Sequence, residues 1–170
     1  MIFEERTIIW DWNGTLLNDA EVCLTIMNTM LGERNLPAIN LDTYKEIFSF
    51  PVEEYYKKIG FDFHQEKFED LSVEFIEAYA LKIGSAPMVE GAEQVLGVIA
   101  SLNKESVILS AMKQDMLHKS VKDKGIEKKG MPFTGGGKQV QGIPENRRRI
   151  AEQRPSRYGK SMIFQKSFIK

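Results

Sequence analysis

Cysteine is almost missing from this chain. Cys23 is the single one, so no internal disulfide framework can exist, and the usage fits a reducing, cytoplasmic setting. Cys23 reads as a packed small apolar residue, because no basic partner stands near it in sequence. Long hydrophobic runs are absent as well: none approaches the roughly 20 residues that span a bilayer, so no membrane role is expected. Glu4 and Glu5 stand where a signal peptide would carry apolar residues, and no signal peptide is expected. Carboxylates become scarce late in the chain. After Lys128 only Glu145 and Glu152 remain, and no Gly-Asp pair occurs anywhere.

What is present is enough for a folded domain. The 170 residues are 42% hydrophobic, which suits one domain or a small core carrying an inserted subdomain. The net charge of −1 hides an asymmetry. Residues 1–128 hold 13 basic and 22 acidic residues, net −9, and residues 129–170 hold 10 and 2, net +8. A split this sharp marks the last stretch as a different kind of polypeptide.

The most informative stretch is Ile8 to Asp19, I-I-W-D-W-N-G-T-L-L-N-D. The apolar run Thr7 to Trp10 ends abruptly in Asp11, as a buried parallel strand does when it delivers a carboxylate to the lip of a sheet. Ligands of open α/β sheets sit just beyond those strand ends. Gly14 lets the backbone turn sharply there. A bland reading also exists, a strand followed by a turn capped by Asp11 or Asn13.

The stretch resembles the first motif of the haloacid dehalogenase (HAD) superfamily, D-x-D-G-T after a hydrophobic strand. The chain looks most like the phosphoglycolate phosphatase-like branch. The resemblance implies an α/β fold, a Rossmann-like parallel sheet with an inserted helical cap. It also implies Mg²⁺-dependent phosphatase chemistry on a small phosphorylated metabolite through an aspartyl-phosphate. By position Asp11 would be the nucleophile. Asn13 would stand where the family has its general acid and base, and would ligate Mg²⁺ by its backbone carbonyl beside Asp11. Thr15 matches the threonine that orients the loop and helps hold phosphate. Asn13 is a departure from the usual Asp: an amide can ligate metal through its backbone but cannot protonate a leaving alkoxide.

Helical spacing follows. A helix begins near Ala20, capped by Asn18 or Asp19, with Val22, Ile26, Met27, Met30 and Leu31 as its apolar stripe. Asp42 would cap a second short helix, and Pro51 begins a third that runs to Gly60. His64 to Lys82 reads as a longer amphipathic helix, with His64 an exposed helix-start residue. Residues 20–83 thus read as a small helical bundle between two pieces of a sheet, which the resemblance identifies with the family's cap, a lid over the site. Tyr55, Tyr56, Lys57 and Lys58 could line its underside, with core or surface roles as the alternative. Met88 to Leu102 is the next expected helix.

Glu105 to Ala111 is a second buried strand, ending at Ser110. It resembles the family's second motif, whose hydroxyl and neighbouring amide bind phosphate; a cap for the helix Lys113 to Lys124 is the competing role for the same residue. Residues 1–19 and 84–128 would then form a partial core. The resemblance covers about residues 5–128 and stops short of the family's later lysine and acidic metal motif. Lys138, in G-G-G-K, could stand in for that lysine. The same glycines are out of register for a P-loop.

Residues 129–170 read as a basic, poorly folded tail. Two accounts stay open. The tail could bind nucleic acid or an acidic partner through Arg147, Arg148 and Arg149 on a catalytically inactive HAD fragment, or it could be a frameshifted continuation of the core. Dehalogenase or phosphonate chemistry would use the same Asp nucleophile, although G-T-L-L-N-D looks more like the phosphatase branch. Substrate identity and oligomeric state are not readable from the pattern.

Overall fold

The computed structural model describes residues 8–49, 51–129 and 131–135. The order of elements is β1 (Ile8–Trp10), α1 (Ala20–Glu33), α2 (Leu41–Ile47), α3 (Val52–Lys58), α4 (Phe68–Lys82), α5 (Ala92–Ser101), β2 (Ser106–Leu109), α6 (Gln114–Asp123) and β3 (Phe133–Thr134). Single 3₁₀ turns follow α4 and α6, at Ile83–Ser85 and Ile126–Lys129. The described residues form two units, 8–17 with 88–135, and 18–87.

The first unit is α/β. Its strands lie in the order β1-β2-β3, all parallel. Ile8 stands opposite Ser106, Trp10 opposite Ile108, and Leu109 opposite Thr134. Val107 and Ile108 are buried, as are Leu96 of α5 and Leu117 and Val121 of α6. These apolar residues from strands and helices are what a parallel sheet needs to cover it. The strand β3 lies within the stretch assigned from sequence to the tail. Its two residues are too short a run for periodicity to register; it is held by Ile108 N–H donating to the Pro132 carbonyl at 2.9 Å and Ser110 N–H to the Thr134 carbonyl at 3.0 Å.

The expected helix from Met88 to Leu102 is shorter. Met88 instead pairs antiparallel with Leu17, and Val89 N–H donates to the Leu16 carbonyl at 2.8 Å. Gly91, at φ +79°, then turns the chain into α5. Of the apolar residues on that helix, Ala92 and Leu96 are buried, while Val95, Val98 and Leu102 are 46%, 56% and 59% exposed.

The second unit is wholly helical. The buried face of α1 comprises Cys23, Leu24, Ile26, Met27, Met30 and Leu31. Rings then pack in a continuous series: Tyr44 against Phe48 and Tyr55, Tyr55 against Tyr56, and Tyr56 against Phe61 and Phe68. Tyr55 and Tyr56 are 1% and 3% exposed, so they belong to this core and line no open surface. Lys57 pairs with Glu53 and Glu54 on its own helix.

Two helix starts differ from the sequence expectation, and a third, α1, begins at Ala20 after Asp19 as expected but without a side-chain capping bond. Asn40, not Asp42, caps α2, its Oδ1 accepting Thr43 N–H at 2.8 Å. Asp42 sits inside the first turn, where a carboxylate still complements the dipole. Asp19 occupies the N-cap of α1 but makes no capping bond with its side chain. Its carboxylate, 3% exposed, accepts the Tyr79 hydroxyl at 2.7 Å. The long helix starts at Phe68 rather than His64, because Asp62 makes a turn of its own. Its carboxylate accepts His64 N–H and Gln65 Nε2–H, an alternative to helix that Asp offers readily.

Arg34, at the end of α1, staples this unit. Its Nε and one amino group meet Glu66 at 2.6 and 2.8 Å, and it reaches Glu74 of α4 at 2.7 Å. The guanidinium also lies 5.5 Å from the Phe61 ring. Pairing with Arg34 holds the Glu66 carboxyl below its ordinary value of 4.5. Arg34→Met is therefore expected to lower unfolding stability by about 1–2 kcal/mol after allowing for solvent screening. The Glu66 share of that difference is fully present above its ordinary value of 4.5 and is lost as pH falls through the lower folded value. Urea unfolding of both chains across that acid range should show the gap narrowing.

Candidate active site

Asp11 follows the last residue of β1, and Ser110 follows the last residue of β2. The strands are parallel neighbours, so their carboxyl ends bring the two residues to the same edge of the sheet. That edge is where open α/β sheets bind ligands.

The loop after β1 is a tight turn built on one carbonyl. The Trp12 carbonyl accepts the amides of Thr15, Leu16 and Leu17 at 3.4, 3.0 and 2.9 Å. Gly14 N–H donates to the Leu17 carbonyl at 2.7 Å, with Gly14 at φ +71°, a conformation that glycine adopts without strain. Within this turn the Thr15 hydroxyl donates to Asp11 Oδ2 at 3.2 Å. Asn13 is 5% exposed and Ser110 is 4% exposed, with Ser110 Oγ 3.5 Å from Asn13 Oδ1. Ser110 Oγ also accepts Met112 N–H at 3.1 Å. The structure thus joins Asp11 to Thr15 and Asn13 to Ser110. Lys138 lies outside the described residues, as do Arg147, Arg148 and Arg149.

Two contributors escape a motif reading. Trp12 is completely buried, and its Nε1–H donates to Ser120 Oγ at 3.0 Å; Ser120, on α6, is 1% exposed. The bond ties the Asp11 loop to the helix that follows the Ser110 loop. Only the indole placed between Asp11 and Asn13 hinted at it, since its partner is 108 residues away. Gly135 is the other. A Cβ there would collide with the Met112 carbonyl and crowd Gln114, so only glycine lets the end of β3 run against the Ser110 loop. Its amide donates to Gln114 Oε1.

The oxygens available here suit a hard cation. Mg²⁺ keeps several waters and needs only one or two carboxylates besides substrate phosphate. The Asp11 carboxylate and the Asn13 carbonyl fit that sparse mode. Among the described residues no group of three or more His, Cys, Asp and Glu gathers to make a richer metal site. Cys23 belongs to the helical unit, where burial and then the charge of Asp19 push its thiol up, opposite to what a nucleophilic cysteine needs. No described helix is long and apolar enough to cross a membrane.

Ser120→Ala should leave the Trp12 indole N–H buried without its acceptor, at a cost of about 1–3 kcal/mol. Combining it with Trp12→Phe should cost less than the sum of the two, because both remove the same bond. Denaturant unfolding of the four chains, followed by circular dichroism, measures that coupling.

Similarity to known proteins agrees with this geometry. Comparison with curated protein sequences finds no match. Among solved structures, a hydrolase from Streptococcus pneumoniae TIGR4 aligns with a TM-score of 0.61 at 16% identity, over 88% of this chain and 78% of its own. A predicted phosphoglycolate phosphatase from Haemophilus somnus 129PT aligns with a TM-score of 0.61 at 15% identity, over 83% of this chain and 67% of its own. The protein tyrosine kinase A of Mycobacterium tuberculosis aligns with a TM-score of 0.65 at 16% identity, over 89% and 71%. Identities this low speak for the fold alone. The family model for haloacid dehalogenase-like hydrolases matches residues 8–153, further along the chain than the recognisable motifs reach. With every described residue inside that match, the protein belongs to the haloacid dehalogenase-like hydrolase family.

Proposed function

We propose that this chain is a Mg²⁺-dependent phosphatase that acts on a small phosphorylated metabolite through an aspartyl-phosphate on Asp11, as in the phosphoglycolate phosphatase-like branch. The observation that carries the reading is the arrival of Asp11 and Ser110 at one sheet edge, on adjacent parallel strands, with Thr15 bonded to Asp11 at 3.2 Å.

Each residue has a physical task in this reading. The Thr15 hydroxyl holds one carboxylate oxygen of Asp11, leaving the other oriented for attack on phosphorus. Covalent catalysis then splits one difficult displacement into two. Ser110 offers a hydroxyl that can turn from Asn13 toward a phosphate oxygen, and the start of α6 offers backbone amides that favour an anion. Asp11 and the Asn13 carbonyl are the residues that would hold Mg²⁺. When bound, the ion supplies charge shielding between the carboxylate and the incoming phosphate.

Phosphate release from an aryl phosphate tests the reading. Asp11→Asn should lower turnover about ten-thousand-fold or more, with an unchanged thermal melt. Removing divalent cations with a chelator should abolish turnover, and added Mg²⁺ should restore it. Turnover that survives Asp11→Asn would overturn the assignment.

A further inference from the structure

Two contacts join the loop after β1 to the chain that follows β2, and they differ in strength. The first lies between Ser110 Oγ and Asn13 Oδ1 at 3.5 Å, the outer limit of a hydrogen bond. The second runs from the Trp12 indole N–H to Ser120 Oγ at 3.0 Å, between side chains 0% and 1% exposed. Both of its partners are shielded from water, so solvent does not compete for either. Ser120 stands in a fixed frame. It lies nearly two turns into α6, and the approach to that helix is tied to the sheet edge. Met112 N–H donates to Ser110 Oγ at 3.1 Å, and Gln114 Oε1 accepts the Gly135 amide. On the other side, the Trp12 carbonyl gathers the Thr15, Leu16 and Leu17 amides, and Thr15 holds Asp11 Oδ2 at 3.2 Å. One buried hydrogen bond therefore connects the frame that carries Ser110 to the turn that begins at Asp11.

Packing alone would not give that register. An apolar ring filling the same space can rock or slide against its neighbours, whereas an N–H···O bond fixes distance and direction together. The two contacts also fare differently when a phosphoryl group arrives. In the proposed function the Ser110 hydroxyl turns from Asn13 toward a phosphate oxygen, and the weaker contact is given up. The Trp12–Ser120 bond uses neither of those groups and stays. It is in place when an Asp11 oxygen must be held in line with phosphorus, where small displacements cost much rate. We propose that Ser120 is a positioning residue for Asp11: through the Trp12 indole it holds the Asp11 turn in register with Ser110, and it serves turnover rather than substrate binding. The proposal rests on Asp11 being the nucleophile, as proposed above.

The test uses the full chain with Mg²⁺ and para-nitrophenyl phosphate, and compares the wild type with Ser120→Ala, Trp12→Phe and the double variant. Ser120→Ala should lower kcat and kcat/KM alike, by about tenfold to a hundredfold, the pattern of an interaction that acts in the transition state. The double variant should be no slower than the slower single one, because both changes remove the same bond. Amide hydrogen exchange supplies a readout that needs no turnover. In Ser120→Ala the Leu16 and Leu17 amides, which donate to the Trp12 carbonyl, should accelerate by a larger factor than the Ile108 amide of β2. A bond that only stabilises the fold would speed all three equally. A folded Ser120→Ala chain with wild-type kcat, a loss confined to KM, or equal acceleration of the three amides would overturn the proposal and leave Asp11 as nucleophile. Should Ser120→Ala fail to fold, Trp12→Phe, which removes the donor and keeps a ring in the site, takes its place in each comparison. A wild type without turnover overturns the assignment of Asp11 and the proposal with it.

Discussion

The Trp12 residue carries a constraint on which the candidate site depends. Its carbonyl gathers three successive amides, and its indole is pinned to Ser120 across the unit. The first interaction closes the turn that follows β1. The second fixes that turn against α6, the helix leading away from the Ser110 loop. A buried indole N–H is stable only with a partner. Burial of this ring and placement of the Asp11 loop are therefore the same event. Loosening the ring would displace Asp11 and Asn13 on either side of it.

The two units hold themselves together by different means. The α/β unit relies on a short parallel sheet in which Val107 and Ile108 are buried, as are Leu96, Leu117 and Val121 of its helices. The helical unit relies on aromatic packing around Tyr55 and on the Arg34 pairs with Glu66 and Glu74. Asp19 shows how far the second unit departs from simple helix rules. A residue placed to cap α1 has its carboxylate buried and bonded to Tyr79, 60 residues on. A distant phenol here outcompetes the local backbone amide for the same carboxylate.

In the proposed function, Asn13 would separate two tasks that a carboxylate at its position would combine. Under that reading, its backbone carbonyl would serve a cation whatever the side chain is. Proton transfer would not survive the change from Asp to Asn, because it needs a titratable group.

Much of this was legible in the amino-acid order. An apolar run ending in Asp11, the glycine three places later and a second apolar run ending at Ser110 identified two strands and the edge they share. Those signals are local, because strand burial and turn chemistry depend on neighbouring residues. Helix existence was equally readable, while helix starts were not. Asp62 and Asn40 formed side-chain turns and caps in competition with equally plausible neighbours, and Met88 left its helix to pair with Leu17. Only the tertiary structure decided the pairing of β3, the Trp12–Ser120 bond, the close approach of Gly135 to Met112 and the destination of the Asp19 carboxylate. Each depends on partners far apart in sequence, and neither periodicity nor propensity carries information about which distant group will satisfy a buried donor or fill a gap beside a backbone.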